Sequence, residues 1–235
     1  MREIILITLT IALAICNLKA QNSIETNLDE VVVSANRAQT EGNITNVQII
    51  SLEEIENAPV QTIEDLLEYA MNVDVRQRGG QGVQADISIR GGTFEQVLVM
   101  LNGIKLNDPQ TGHHTMDLPV SLEQIEKIEI ITGGASRIFG NYAYTGAINI
   151  ITKSEMANSF SISGGENAFK SGGINYHTST GNLKHNISVN QKESDGYTEG
   201  MDYKIKNYYY QAKTNIDGIN ALFNAGYTNK EFGAF

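Results

Sequence analysis

From Ser159 onward the chain alternates apolar and polar residues with a period of two, and this pattern limits the fold more than any other feature of the sequence. Phe160 and Ile162 alternate with serines, and Ile187 and Val189 alternate with asparagine and serine. Successive side chains of a β-strand point to opposite sides of the sheet, so this alternation predicts strands with two unlike faces. We predict about five such strands, joined as a meander.

Alternation alone fits two classes of protein. In a soluble sandwich the apolar face is buried, whereas in an outer-membrane barrel it meets lipid and the polar face lines a wet lumen. Short turns at residues 181–182 and 217–218 alternate with longer polar loops at 164–171 and 193–202, which favours the barrel. Five strands leave exposed edges and cannot close, so we interpret the sequence as an N-terminal fragment or a truncated product.

The first twenty residues have the layout of a secretory signal peptide. Arg2 gives a positive start, residues 4–15 form an uncharged apolar run, and Ala20 marks the expected cleavage site. A lipoprotein anchor on Cys16 is the alternative, which the bulky isoleucine before it disfavours. Cys16 is the only cysteine, so cleavage would leave no disulfide and no thiolate metal site.

Composition and motifs exclude further classes. A formal net charge of -10 without a basic cluster argues against nucleic-acid binding. The sequence has no nucleophile elbow, phosphate-binding loop or HExxH motif, so we predict no enzyme and no catalytic residue. After the signal peptide no apolar run is long enough for a membrane helix, so strands would make any bilayer crossing.

Residues 47–153 are predicted to form a mixed α/β domain, since about 105 residues suffice for one small core. Capping boxes begin at Ser51 and Ser121, and Thr62 precedes a second helical stripe. Asn102-Gly103 predicts a tight hairpin turn. The predicted strands are residues 73–76, 87–90, 97–101, 104–106, 127–131 and 147–152.

The order of these features resembles the TonB-dependent outer-membrane receptors, and most closely the cobalamin-transporter-like branch. LDEVVVSANR at residues 28–37 resembles the TonB box, and ISIRGG, VLVMLNGIKLNDP and IEKIEIITGGASRIFGNYAYTGAINIITK resemble successive plug motifs, while VNQKESDGYTEGMDYK resembles an early barrel hairpin. The resemblance implies an α+β plug domain followed by the first antiparallel strands of a transmembrane β-barrel of about 22 strands, which is incomplete in this chain. The implied divisions are a signal peptide (1–20), a flexible periplasmic segment with the TonB box (21–46), the plug domain (47–153) and the start of the barrel (154–235).

The implied function is energy-coupled uptake of a scarce nutrient, with cobalamin or an iron chelate as the ligand. The expected partners are the C-terminal domain of TonB with its inner-membrane energising complex, the small-molecule ligand, and the lipid bilayer with its lipopolysaccharide. We expect a monomeric barrel in the outer membrane of a Gram-negative bacterium, and no nucleic-acid partner. A secreted or surface-exposed, non-enzymatic binding module is the alternative.

The TonB box explains an apolar stretch that has no neighbouring strand. Valines 31–33 favour extended backbone, and in this family the box pairs as an added strand with TonB. The implied TonB-binding residues are Asp29, Glu30, Val31, Val32, Val33, Ser34 and Ala35. Alternatively, these valines are the first strand of the domain, docked internally.

The resemblance implies a latch and a ligand surface. Arg90 matches a plug arginine that pairs with barrel carboxylates, and an exposed surface arginine is the alternative. The family often has Arg-Gly-Pro where this chain has Thr132 before two glycines, which removes a second charge from the latch. Outward loops supply the candidate ligand-binding residues Arg76, Gln77, Arg78, Gln81, Asn107, Asp108, Gln110, His113 and His114.

Two groups of residues raise the question of a metal. His113 and His114 are adjacent and would point opposite ways in an extended segment, which favours a polar loop over a metal site. Asp195, Glu199 and Asp202 lie in a predicted outer loop and are the candidates for a structural calcium ion. A solvated acidic loop is the alternative, because calcium takes about six to eight oxygen ligands. No other cofactor is expected.

Overall fold

The computed structural model describes residues 47–106, 111–216 and 218–233. The predicted signal peptide, the predicted TonB-binding residues 29–35 and the loop candidates Asn107, Asp108 and Gln110 lie outside the described residues. Within the described ranges, no helix is long and apolar enough to cross a membrane.

Residues 47–152 form an α/β region with two sheets. Its strands are β1 (Val47–Ile50), β2 (Val73–Arg78), β3 (Gln84–Ile89), β4 (Val97–Leu101), β5 (Ile104–Lys105), β6 (Ile125–Thr132) and β7 (Gly146–Thr152). Five of them form a mixed sheet in the order β1-β6-β7-β4-β5, in which β4 and β7 run parallel. The other two, β2 and β3, form a separate antiparallel pair.

Short helices cover the mixed sheet, and local sequence chemistry explains where they begin. The helices are α1 (Leu52–Asn57), α2 (Ile63–Leu67) and α3 (Ser136–Phe139), with 3-10 turns at Phe94–Gln96 and Leu122–Gln124. Both predicted capping boxes are confirmed: the Ser51 amide donates to Glu54 Oε2 over 2.7 Å, and the Ser121 amide donates to Gln124 Oε1 over 2.7 Å. The helix predicted after Thr62 is confirmed as α2, and Thr62 caps it by accepting from the Asp65 amide at 3.0 Å.

The core lies between α1, α2 and the two sheets. The apolar face of α2 is buried, and it packs with isoleucines of β3, β6 and β7. The fully buried members include Leu66, Leu67, Ile87, Ile89, Ile128, Ile130, Ile148 and Ile150. This single cluster fixes the helices on the sheet, as expected for a small domain.

Some strand predictions were wrong in position. β1 was not predicted, although it pairs with β6 at the edge of the mixed sheet. β2 continues to Arg78, so the predicted loop from residue 76 begins three residues later. Arg90 does not belong to β3 but follows it with a φ of 52°. The hairpin at residues 102–103 is confirmed, with φ of 52° and 79°.

The C-terminal sheet is an open antiparallel meander of five strands, as predicted. They are β8 (Ser159–Gly164), β9 (Lys170–Thr180), β10 (Leu183–Ser194), β11 (Tyr203–Ile216) and β12 (Ile219–Phe232), and each pairs with the next. Two residues connect β9 to β10, whereas eight connect β10 to β11. The alternation of short turns and long loops is therefore confirmed here.

The two faces of the C-terminal sheet have different surroundings. On one face large apolar side chains are exposed, including Phe160 at 71% and Ile162 at 79%. The other face contacts the α/β region and buries polar side chains such as Asn186, Ser188 and Gln211. Ile205 and the ring of Tyr209 are also buried on this inner face, and they join apolar clusters with the α/β region.

Candidate functional site

The turn between β2 and β3, residues 79–83, rests on helix α2. Gly79, Gln81 and Gly82 all have positive φ, between 59° and 76°. The Gln81 side chain donates to Gln61 Oε1 over 2.8 Å. A Cβ on Gly82 would lie 2.8 Å from Glu64 Oε2, and the φ of 72° at this position favours glycine.

Three predicted ligand residues, Arg76, Gln77 and Arg78, lie on strand β2, and their side chains contact different partners. Arg76 is exposed and pairs with Asp74 at 3.2 Å. Gln77 faces α2 and donates to Asp65 Oδ1 over 2.8 Å. Burial raises the pKa of Asp65, but hydrogen bonds from Gln77 and Thr62 and from the backbone outweigh that effect, and the pKa ends below its usual value. Gln77 therefore helps to hold an ionised carboxylate, and its amide is committed to the domain.

Asp86 is a buried carboxylate that sequence reasoning missed. It lies in β3 with its side chain 9% exposed, and it brings together two of the predicted ligand residues. Arg78 Nη2 lies 3.6 Å from Asp86 Oδ2, and His113 Nδ1 lies 2.8 Å from Asp86 Oδ1. The signal was a lone charged residue inside a strand, QADISI, whose other residues are uncharged, because a buried charge requires partners.

The adjacent histidines bond to different carboxylates. His113 contacts Asp86 and stacks on Phe94 with 4.3 Å between ring centroids. His114 Nδ1 lies 2.9 Å from Asp117 Oδ2. In the part of the chain that the structure describes, no three His, Asp or Glu side chains are grouped to hold a metal ion.

Acidic residues at the end of β10 and in the loop that follows it make separate contacts with their surroundings. Glu193 pairs with Lys204 at 3.2 Å, and the Asp195 amide donates to Asn167 O over 2.9 Å. The structure does not group the carboxylates of Asp195, Glu199 and Asp202 around one point. Calcium binding at this loop stays a prediction.

The Arg90 side chain lies against the turn where this chain departs from the family pattern. The Arg90 amide donates to Asn72 O over 3.0 Å, and a Cβ on Gly133 would lie 3.4 Å from Arg90 Nη1. The guanidinium thus lies at van der Waals distance from the position that a Cβ on Gly133 would take. The pairing of Arg90 with barrel carboxylates stays a prediction.

The hairpin tip at Asn102 joins the α/β region to the C-terminal sheet. Asn102 Oδ1 accepts from the Thr152 amide over 2.9 Å, and Asn102 Nδ2 donates to the Tyr209 hydroxyl over 3.1 Å. The same hydroxyl donates to Asn224 Oδ1 over 2.9 Å, and Gln211 Nε2 donates to Thr152 Oγ1 over 2.6 Å. One network of polar side chains therefore connects the β4–β5 turn with β7, β11 and β12.

Asn102→Gly is expected to destabilise this junction by about 1–3 kcal/mol, because it leaves the buried Thr152 amide without its acceptor while keeping the positive φ. Hydrogen exchange at β7 amides measures the change. Asn72→Gly, at an exposed residue with a φ of 64°, controls for the flexibility of glycine. Equal effects of the two substitutions would contradict the role of the Asn102 side chain.

Comparison with known sequences gives a consistent match. The family model for the TonB-dependent receptor plug domain matches residues 40–147. A vitamin B12 transporter, BtuB, of Vibrio vulnificus is 31% identical over 212 residues, which is 86% of this chain and 34% of that protein. BtuB of Vibrio cholerae is 34% identical over 127 residues, or 53% of this chain and 21% of that protein. The chain thus spans about a third or less of the length of these relatives.

Solved structures share the fold at lower identity. The ferric yersiniabactin uptake receptor FyuA of Yersinia pestis superimposes with a TM-score of 0.61 at 18% identity, covering 80% of this chain and 32% of that one. The siderophore receptor PirA of Acinetobacter baumannii gives 0.57 at 20% identity, covering 79% and 32%. Both likenesses concern the fold alone, over about four fifths of this chain.

Proposed function

We propose that the whole protein is a TonB-dependent outer-membrane receptor for energy-coupled nutrient uptake, because residues 40–147 match the family model of the receptor plug domain and the fold resembles that of solved receptors. Its ligand is cobalamin or an iron chelate. Sequence relatives at 31% and 34% identity are vitamin B12 transporters, which supports cobalamin as the first ligand to test.

The observation that carries this proposal is the contrast between the two faces of the C-terminal sheet. Phe160, Ile162, Phe223 and Tyr227 are each more than half exposed on the outer face, while the inner face is occupied by the plug through polar contacts. Large apolar patches facing water are rare on soluble proteins, whereas lipid covers such a face in a membrane barrel. The contrast favours a receptor over a secreted binding module.

TonB is the partner that this proposal requires. The box residues 29–35 would add a strand to the C-terminal domain of TonB, and the inner-membrane complex would supply the energy. A ligand that binds the outer plug loops must favour the state with the box released, since a ligand that binds both states equally shifts nothing.

Expression of the whole gene in a Gram-negative strain that lacks its own cobalamin receptor tests the proposal. We expect the product in the outer-membrane fraction, with heat-modifiable migration, and TonB-dependent accumulation of labelled cyanocobalamin. A ferric siderophore taken up in place of cyanocobalamin would keep the receptor and change its ligand. A freely soluble, full-length product would contradict the receptor and support the binding module.

A further inference from the structure

Two lysines of the barrel strands lie in one lateral row of the sheet, beside the turn at residues 79–83. Lys192 of β10 is opposite Ile205 of β11, and Ile205 is opposite Lys230 of β12. Ile205 is 2% exposed and clusters with Val83 of the plug. The row therefore presents an apolar centre to Val83 and an ammonium group on each side.

Each lysine binds a carbonyl of the turn. Lys192 Nζ donates to Gln81 O over 2.5 Å, and Lys230 Nζ donates to Gly82 O over 2.8 Å. These partners are 111 and 148 residues apart in the chain, so the contacts do not follow from local structure. Hydrogen bonds from charged donors are stronger than those between neutral groups. The barrel wall thus holds two consecutive peptide groups of the plug.

Lys230 also binds a second plug loop. Its ammonium lies 2.7 Å from Asp117 Oδ1, and the other oxygen of that carboxylate contacts His114. The Lys230 side chain is 9% exposed. A buried ammonium is costly without partners, and here the partners come from both loops.

The turn at residues 79–83 also contacts the plug, at helix α2 and at Gln61 just before it. The Glu64 carboxylate lies beneath Gly82, and Lys192 is within electrostatic range of it. A cavity of about 170 Å³ adjoins this contact, lined by α2, the segment before Leu122 and the inner face of the barrel strands. The turn is therefore held by contacts from both the plug and the barrel strands, and the adjoining cavity gives it space to move when a lysine is removed.

We propose that Lys192 and Lys230 are positioning residues that fix two ligand-facing plug loops against the barrel wall, with Lys230 the anchor that both loops share. The ligand-facing role of these loops rests on the proposed function. Binding of a ligand to preorganised loops avoids the cost of ordering them. Loss of Lys230 should loosen both loops, whereas loss of Lys192 should loosen one.

Hydrogen exchange of the ligand-free, full-length receptor in detergent tests the positioning role without a ligand. Lys192→Met should speed exchange in residues 79–84 alone, and Lys230→Met in residues 79–84 and 111–118, each by about 10-fold to 100-fold. Lys213→Met is the matched control: this lysine of β11 binds Ser154 Oγ at 2.6 Å and should leave both loops unchanged. Unchanged exchange in residues 111–118 of Lys230→Met, or equal loosening by Lys213→Met, would overturn the proposal.

A second variant covers the case in which Lys230→Met does not fold into a heat-modifiable receptor. Asp117→Asn keeps Lys230 and its bond to Gly82 O, and should loosen residues 111–118 alone. Exchange equal to that of the unsubstituted receptor there would also overturn the shared anchor.

Binding of cyanocobalamin is a separate readout. Its affinity should fall by about 10-fold in Lys230→Met, more than in Lys192→Met. No binding to the unsubstituted receptor would count against cobalamin as the ligand, while the exchange pattern would still decide the role of the lysines.

Discussion

Val32→Pro is expected to reduce energy-coupled uptake of cyanocobalamin to the level of a strain without TonB, while the receptor still folds and binds. Proline has no amide hydrogen and a fixed φ, so it removes one donor of the strand that the box would add to TonB. Uptake by energised cells measures the loss, and binding by energy-depleted cells measures what is retained.

Val32→Ala is the control for this substitution, because it keeps the backbone amide and changes only the side chain. We expect it to retain most of the uptake. If Val32→Pro instead prevents folding or outer-membrane recovery, the valines would be an internal strand of the domain, which was the alternative interpretation of residues 31–33.

Gly146→Ala is expected to destabilise the plug by about 2–3 kcal/mol through overpacking. A Cβ at Gly146 would lie 2.6 Å from Ile131 O and 2.7 Å from Ile89 Cδ1. The Ile131 oxygen belongs to the backbone of β6, so relief of the contact requires a shift in the β6–β7 pairing. Alanine in place of glycine usually stabilises a protein where the backbone accepts it, so the expected sign here is the opposite of the usual one.

Hydrogen exchange at the amides of β6 and β7 measures this effect, and protection should fall by about 30-fold to 150-fold. Gly80→Ala is the matched control, because a Cβ there would meet no atom within 4 Å. It should change stability by less than about 0.5 kcal/mol. Similar protection in the two variants would show that the sheet accommodates the extra methyl group.

Local chemistry accounts for the parts of the fold that the sequence predicts. The alternation from Ser159 onward sets the faces of β8 to β12, and the Asn102-Gly103 pair sets the hairpin, because each depends on neighbouring residues alone. The capping boxes at Ser51 and Ser121 work within three residues. These features need no knowledge of the rest of the molecule.

Parts of the candidate site depend on residues far apart in the chain. β1 is only four residues long and becomes a strand by pairing with β6, about 80 residues later. Asp86 belongs to the site because it contacts His113. Lys230 belongs to it because it binds Gly82 O, which is 148 residues away. Periodicity gives no sign of such pairs, since it describes one element at a time. The loops were therefore predicted as ligand surfaces, while their anchors were not.

The inner network also bears on the order of assembly. Gln211 reaches Thr152 across 59 residues, and Lys213 and Asn186 bind the connecting segment at Ser154. Closing a short loop costs less chain entropy than closing a long one. Docking of the plug onto β10 and β11 thus uses only strands that emerge soon after it during synthesis. The contacts of β10 and β11 with the α/β region therefore close shorter loops, at a lower entropic cost, than the bond between Lys230 and Gly82, which are 148 residues apart.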